Sequence, residues 1–369
     1  MEITISRSSL LNALNQVSGA VEKRQTLPIL SHVLLSIADK KLRITATDLE
    51  LQLMATADVI DIKSDTMITV PAKKLMDICR ALNEENPIQF KTEGQRLALK
   101  SGKSRFQLAL LPANEFPSVS MDNAAVSFNL PEADLKSLID HTAFAMAQQD
   151  VRYYLNGMLF ELAKDHIHMV ATDGHRLALS DFAEKTSVKE AMSVIVPRKG
   201  VMELSRLLNS QEDHRLQVHL NINHIHIAHE RFQFTSKLID GKFPDYKRVL
   251  PKGADKFAYL DRDQFKQALV RASILCNEKF HGVRLTFKAN LLQIEANNPE
   301  QEQAHDEIPA RYDGPELQFG VNVNYVLDVL NALPAGELKI SMSNANSSLL
   351  FESEDDSSTS LYVVMPMRL

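Results

Sequence analysis

Three stretches of this chain carry the same strand, counter-strand and turn at equal spacing. LLSIADKKLRITATDLELQL begins at Leu34, MLFELAKDHIHMVATDGHRLAL at Met158 and VRLTFKANLLQIEANNPEQEQA at Val283, so that Ala46, Ala171 and Ala296 align at a constant step of 125 residues. A strand end that runs into an amphipathic helix recurs in the same order: VPAKKLMDICRAL from Val70, VPRKGVMELSRLL from Val196 and VNVNYVLDVLNAL from Val321. Near the start of each unit, ITISRSSLLNALNQV, VSFNLPEADLKSLIDHT and FAYLDRDQFKQALVRA each give a short strand and then a helix. In those helices Leu10 and Leu14, Leu135 and Ile139, and Phe265 and Leu269 form the i, i+4 apolar stripe that a helix buries. Chance does not readily produce three segment types in one order at one step, and the period is too long for a solenoid. The pattern predicts three homologous α+β domains, residues 1–124, 125–254 and 255–369, each with two helices covering one face of mostly antiparallel sheet.

Length agrees, because 369 residues exceed what one ordinary core organises. Apolar residues make up 44% of the chain and charged residues 24%, and no apolar run is long enough for a membrane span. The N-terminal MEITISRSSLL lacks a basic-then-apolar signal pattern, so a soluble cytoplasmic protein without a membrane partner is expected. Cys79 and Cys276 both fall in helical patterns, which predicts reduced thiols rather than a disulfide framework.

The net charge of −6 argues at first against nucleic acid. A protein that encloses DNA, however, needs positive charge only on an inner surface, and an acidic exterior discourages nonspecific sticking. The polar faces of the predicted helices and their flanks are basic: Arg7, Lys23, Arg24, Lys73, Lys74, Arg80, Lys136, Arg198, Lys199 and Arg206, with Lys266 and Arg271 in the third unit. Any one such residue is ordinarily just solvated; as a set on comparable helices they point to a surface facing phosphates. Few aromatics interleave with them, Tyr153 and Tyr154 excepted, which disfavours a single-strand stacking groove. Six helices at about 10 Å spacing enclose an axis circle of about 19 Å, leaving about 9 Å clear, too narrow for a duplex. Twelve helices leave a bore of about 28 Å, wide enough for duplex DNA and a layer of water, so a ring of this kind requires a homodimer.

QDVRYYLNGMLFE from Gln149, VATDGHRLA from Val170, VPRKGV from Val196, TSKLIDGKFPDYKRVLP from Thr235, NEKFHGVRL from Asn277, NNPEQE from Asn297, NVNYVLDVLNAL from Asn322 and the terminal YVVMPMRL extend across all three repeats. Together they resemble the bacterial DNA polymerase III beta subunit family, the beta sliding clamps. The resemblance implies a head-to-tail homodimer forming a six-domain ring with helices lining the pore. An ATP-driven clamp loader would set it around duplex DNA without regard to sequence. It would tether the DNA polymerase III catalytic subunit and other polymerases or repair proteins that carry clamp-binding peptides. No catalytic residue, cofactor or metal of its own is implied.

The family's partner-peptide groove carries over onto Leu155, Thr172, Gly174, His175, Arg176, Leu177, Pro244, Arg248 and Val249 from the middle repeat, and onto Asn322, Tyr325, Ser348, Val363, Met365, Pro366, Met367 and Arg368 from the third repeat and tail. As chemistry the set suits a peptide: apolar pockets for Leu and Phe anchors, an Arg for a polar end, and methionines that repack around different guests. The DNA-facing residues implied are Arg24, Lys73, Arg80, Gln149, Tyr153, Tyr154, Arg198 and Lys199, all suited to phosphate and sugar contacts that position without reading bases. For the dimer seam the family implies Phe106 and Leu108 against Ile274 and Leu275, with Lys74, Lys103 and Arg105 opposite Glu300 and Glu302.

Two other features invite chemistry. In HLNINHIHIAHE, His224 and His226 share one strand face, with His219 and His229 nearby, but no carboxylate or Cys stands at ligand spacing, so an exposed strand face is expected rather than a metal site. Asp173 and His175 in ATDGH look like an acid–base pair, yet the same ATD recurs at Asp48 before Leu and Glu, as expected of a structural turn. A metal-dependent nucleic-acid hydrolase using the same basic face, or a static interaction scaffold, are the alternative functions. No Walker A, Rossmann glycine pattern or nucleophile elbow supports an enzyme.

Overall fold

The computed structural model describes residues 1–22, 27–119, 123–183, 188, 191–210, 214–251, 253–354 and 359–368. Among them the predicted helical segments form α1 (Arg7–Val17), α2 (Ala72–Ala81), α3 (Glu132–Thr142), α4 (Arg198–Leu207), α5 (Arg262–Ser273) and α6 (Val323–Ala332). Three of them start at side chains that accept otherwise orphaned backbone N–H groups. Ser6 Oγ accepts from the Ser9 N–H at 3.1 Å, an Asp261 carboxylate oxygen from Gln264 at 2.8 Å and Asn322 Oδ1 from Asn324 at 2.9 Å. The apolar stripe is the buried face, with Leu10, Ala13, Leu14 and Val17 inward on α1 and Phe265, Ala268, Leu269 and Ala272 inward on α5.

Strand pairing is antiparallel throughout the described residues. Each repeat contributes two meanders. In the first repeat one meander runs through His32–Ala38, Lys41–Thr47 and Leu51–Asp58, and the other through Ile88–Glu93, Arg96–Ser101 and Ser104–Ala109. The second repeats the scheme with Gly157–Leu162, His166–Thr172 and Arg176–Ala183, then Arg215–Leu220, His224–Ala228 and Phe232–Lys237. The third does so with Gly282–Lys288, Leu291–Asn297 and Gln303–Pro309, then Glu337–Met342, Leu349–Ser353 and Ser360–Val364. Burial follows the period of two: in Leu51–Asp58, Leu51, Leu53, Ala55 and Ala57 are buried while Gln52, Met54 and Thr56 between them are half-exposed.

Meanders of successive repeats join edge to edge. Phe232–Lys237 pairs with Leu51–Asp58, with Phe234 opposite Leu53, and closes one eight-stranded sheet. Ser360–Val364 pairs with Arg176–Ala183, with Val363 opposite Leu177, and closes another. The chain therefore packs as two compact units, Met1–Glu132 with Arg206–Leu238, and Ala133–Ser205 with Ile239–Leu369. This division cuts through the middle repeat, because packing follows the continuous sheets while homology follows the repeat.

Both cysteines are free and buried, and burial pushes the Cys79 thiol up to about 12, so it is held as an inert thiol. No helix among the described residues is long and apolar enough to cross a membrane.

Gly157 opens the strand that backs the middle repeat's core, and a Cβ there would meet the Val196 carbonyl oxygen at 2.6 Å and Ile195 Cγ2 at 2.8 Å. The carbonyl belongs to the neighbouring strand and cannot rotate aside. Gly157→Ala is expected to cost about 1–3 kcal/mol, as overpacking does, read as a lower urea midpoint. An unchanged midpoint would mean that the two strands part without cost.

Candidate functional site

The second unit contains a cleft of about 150 Å³ built where the tail strand lies against the middle repeat. Leu155, Thr172, Gly174, Arg176, Leu177, Pro244, Val249, Val363 and Met365 line it, each anticipated from the sequence. Leu155, Leu177 and Val363 are buried, and Leu177 and Val363 share one apolar cluster with Leu159, Val170, Leu179, Ile195, Phe243 and Tyr246. The floor is thus an extension of the core, whereas Pro244 at the rim is exposed.

The turn that forms one wall is held by its own side chains. Asp173 Oδ1 accepts from the backbone N–H of His175 at 2.9 Å and of Arg176 at 3.0 Å, and Thr172 Oγ1 donates to the Arg176 carbonyl at 2.6 Å. The first repeat builds the same turn, with Asp48 Oδ1 accepting from Glu50 and Leu51 and Thr47 Oγ1 donating to the Leu51 carbonyl. Asp173 is therefore a turn residue, its carboxylate occupied by backbone and by Arg176. Gly174 adopts φ +89°, and a Cβ there would meet Arg152 Nη1 at 2.9 Å.

Arg176 joins the turn to α6. Its guanidinium bonds Asp173 at 3.1 Å, Asp328 on α6 and the Phe144 carbonyl at 2.7 Å, and stacks 4.6 Å from the centroid of the Tyr325 ring. The His175 ring lies parallel to Tyr325 at 6.3 Å. The tail crosses the same place, with Met365 N–H donating to the His175 carbonyl at 2.9 Å and Met367 N–H to the Gly320 carbonyl at 2.7 Å. Of the other anticipated residues, Asn322 caps α6, Arg248 is exposed and pairs with Asp245 at 2.8 Å, Ser348 and Pro366 are half-buried, and Arg368 is exposed.

Three lining residues were not anticipated for the cleft: Arg152, Tyr154 and Tyr246. Arg152 is held by Asp150 at 2.8 and 3.0 Å, and the guanidinium holds the Asp150 carboxyl down to about 2, so the pair is charged at neutral pH. Burial first, and then the hydrogen bond to Glu161, raise the Tyr246 hydroxyl above its usual range, so it stays a donor. Tyr154, anticipated as DNA-facing, packs against the cluster that floors the cleft, with its ring 5.7 Å from that of exposed Tyr153.

Of the remaining DNA-facing candidates, Arg24 lies outside the described residues. Lys73 and Arg80 are exposed on α2 in the first unit; Lys199 at the start of α4 and Gln149 are exposed in the second, and Arg198 is half-buried with Nη1 3.1 Å from the Met146 carbonyl. For the seam, Ile274 after α5 is 75% exposed and Leu275 half-buried. Lys74, Lys103 and Arg105 are exposed, as are Glu300 and Glu302, and Phe106 is half-exposed beside a shallow charged hollow. Leu108, by contrast, is only 7% exposed, so most of its side chain serves its own sheet.

Family models cover nearly all of the chain: the N-terminal domain of the DNA polymerase III beta subunit matches residues 1–120, its central domain 129–245 and its C-terminal domain 247–368. The chain belongs to the DNA polymerase III beta subunit family. It is 48% identical to the beta sliding clamps of Pseudomonas aeruginosa and of Escherichia coli K12, over the full length of both. A crystal structure of the P. aeruginosa sliding clamp bound to griselimycin superimposes with a TM-score of 0.96 at 48% identity, covering 100% of each chain. The three homologous α+β domains anticipated from the repeats, and the sliding-clamp fold implied by the resemblance, are thereby found. A hydrolase or a static scaffold finds no support in these relatives.

Within the cleft, Arg176 is the contact that fixes the Asp173 turn to α6. Arg176→Ala leaves the Asp173 and Asp328 carboxylates without their shared cation, at an expected cost of roughly 2–3 kcal/mol for charged hydrogen bonds. Arg176→Lys should not restore it, because a single ammonium does not reproduce the planar fork. Urea denaturation of both variants checks this; full rescue by lysine would reduce Arg176 to a point charge.

Proposed function

We propose that two copies of this chain close into a ring around duplex DNA and tether polymerases, the clamp loader and repair proteins through the cleft of the second unit. The carrying observation is a pairing rule. Inside the chain, the last strand of one repeat pairs with the third strand of the repeat before it: Phe232–Lys237 with Leu51–Asp58, and Ser360–Val364 with Arg176–Ala183. Two strands of these kinds, Ser104–Ala109 and Gln303–Pro309, end their sheets as open edges. Open edges are templates for pairing, and continuing the rule between two chains joins the first repeat of one to the third of the other. Arg105 and Phe106 lie on one edge with Lys103 in its hairpin; Glu302, Asp306 and Glu307 lie on or beside the other, so the charges are complementary. Ile274 and Leu275 supply apolar surface next to that edge, and Lys74 and Glu300 extend the charged rim.

The domain boundaries used by this reading are those of the repeat, near residues 124 and 254. Helix faces carrying Lys73, Arg80, Arg198 and Lys199, together with Arg24, Gln149, Tyr153 and Tyr154, meet phosphates and sugars, which position a protein without reading bases. Work on the bacterial chromosome fits a cytoplasmic protein.

Topology gives the test. After loading, the wild-type protein should stay on nicked circular DNA and run off once the circle is cut; equal retention on both forms refutes encirclement. Ile274→Ala with Leu275→Ala should give monomer at micromolar concentration in sedimentation and abolish retention on the circle. An unchanged dimer mass moves the seam elsewhere.

The groove is tested separately. An extended peptide with Leu and Phe anchors gains roughly 1–3 kcal/mol per buried anchor before ordering costs, so modest affinity is expected. Removing Met365 to Leu369 takes away one wall while leaving both open edges in place. The truncated protein should remain dimeric but lose the peptide in fluorescence anisotropy. Wild-type affinity in the truncated dimer would rule the groove out.

A further inference from the structure

A second cluster stands on the sheet face beside the groove. Glu161, His168 and Asp181 are successive cross-strand neighbours on Gly157–Leu162, His166–Thr172 and Arg176–Ala183. His166, two residues before His168, shares its face. His166 Nδ1 lies 3.1 Å from both carboxylate oxygens of Asp181, and His168 Nε2 lies 2.9 Å from Oδ1. On the far side of the same ring, His168 Nδ1 has the Tyr246 hydroxyl as its hydrogen-bond partner at 3.4 Å and lies 3.4 Å from Glu161 Oε2, which accepts from that hydroxyl at 2.7 Å.

The proton inventory makes this arrangement unusual. A neutral imidazole has one N–H and one lone pair, and a carboxylate only accepts. His168 has the Tyr246 hydroxyl at Nδ1 and the Asp181 carboxylate at Nε2. With the Tyr246 proton committed to Glu161, Nδ1–H donates to the Tyr246 oxygen and the Nε2 lone pair confronts Asp181, which a second imidazole nitrogen also approaches. A cation held between Asp181 and the two rings removes the conflict. The three ligand atoms lie within 4.8 Å of one another, and a tetrahedral ion with bonds of about 2.0–2.1 Å spaces its ligands by about 3.3 Å. The site is reachable, with the His166 side chain 42% exposed and Asp181 27%. Glu161 holds the Tyr246 hydroxyl that in turn holds the other nitrogen of His168, the outer support a metal-ligating histidine uses.

We propose that His166, His168 and Asp181 bind one divalent transition-metal ion of the zinc class, with Glu161 and Tyr246 as positioning residues for His168 and water completing the coordination. Tyr246 also lines the groove, so the ion is tied through Glu161 to the groove wall. The assignment does not depend on the function proposed above.

The other histidine–carboxylate cluster differs in the way that matters. Glu132 lies 3.5 Å from His229 Nε2 and 3.8 Å from His214 Nδ1, but Arg231 already bonds its other oxygen at 2.6 Å. The Arg231 backbone N–H donates to His229 Nδ1, which leaves the ring proton on Nε2, facing Glu132. That carboxylate already has its cation on Oε1, although its Oε2 and His229 Nε2 make no hydrogen bond among the described residues.

The full-length protein, stripped with EDTA, is titrated with zinc chloride by calorimetry, with magnesium chloride as a control for oxygen-preferring ions. One zinc per chain and no magnesium heat are expected. His166→Gln with His168→Gln should weaken zinc binding by at least about 10–100-fold, Glu161→Gln should weaken it within that range, and Glu132→Gln should leave it unchanged. Thermal melts check folding, and Asp181→Asn offers a second route to the same loss should the double variant not fold. Cobalt(II) added to the wild type should give the intense visible absorption of a four-coordinate site, absent from the folded variants. The proposal is overturned if the stripped wild type takes up no zinc, or if folded His166/His168 or Asp181 variants retain wild-type affinity.

Discussion

The structure rests on backbone pairing between strands that belong to different repeats. Each joint spends one sheet edge from each of two successive repeats, so the middle repeat contributes an edge to both joints. The register at both joints is set by apolar alternation: Phe234 opposite Leu53 in one, Leu177 opposite Val363 in the other. A slip of one residue would turn both rows of inward side chains to solvent. The joints therefore fix where the tail lies, and with it the wall of the groove.

This dependence explains why the groove is assembled from residues far apart in sequence. Val363 and Met365 reach the cleft because Ser360–Val364 completes a sheet, and Leu155 and Tyr246 reach it because they pack on the same core. The floor is shared with a core that must be dry and well packed for stability. The rim, with Pro244 and Arg248 exposed, is free of that demand. A guest peptide, on the function proposed, would meet a surface whose shape is preset by folding, which reduces the ordering cost of binding.

Much of this was legible beforehand. The period located the helices and meanders, because side-chain alternation and the i, i+4 stripe are local signals. The apolar residues that line the cleft were also picked out, since they sit in segments that carry the family resemblance. Arg152 and Tyr246 lie in those same segments and were missed, because what recruits them is a contact across the fold: Arg152 onto the Asp173 turn, Tyr246 onto Glu161. Leu108, given to the seam, is turned largely inward within its own chain by alternation along its strand. The histidines teach the same lesson about register. His-x-His occurs twice, and the sequence directed attention to His224 and His226. Their cross-strand neighbours are Lys237, Thr235 and His219, whereas those of His168 are Glu161 and Asp181. Which strand lies alongside decides the chemistry, and no local spacing reports it.

The two joints also differ in what their turns leave room for. Asp48 and Asp173 organise the same turn, yet Leu49 follows the first and Gly174 the second, both at positive φ. Leucine in that conformation is strained, and a Cβ at Gly174 would collide with Arg152. Two residues further on, Leu51 is 2% exposed and fills its joint, while the equivalent Arg176 turns its guanidinium to Asp328 and Tyr325. Repeats that share a backbone thus diverge at two side chains. Glycine admits Arg152 beside the turn, and arginine in place of leucine keeps a polar group where the homologous joint is packed shut. The groove at the second joint follows from those two exchanges and the tail strand that passes over them.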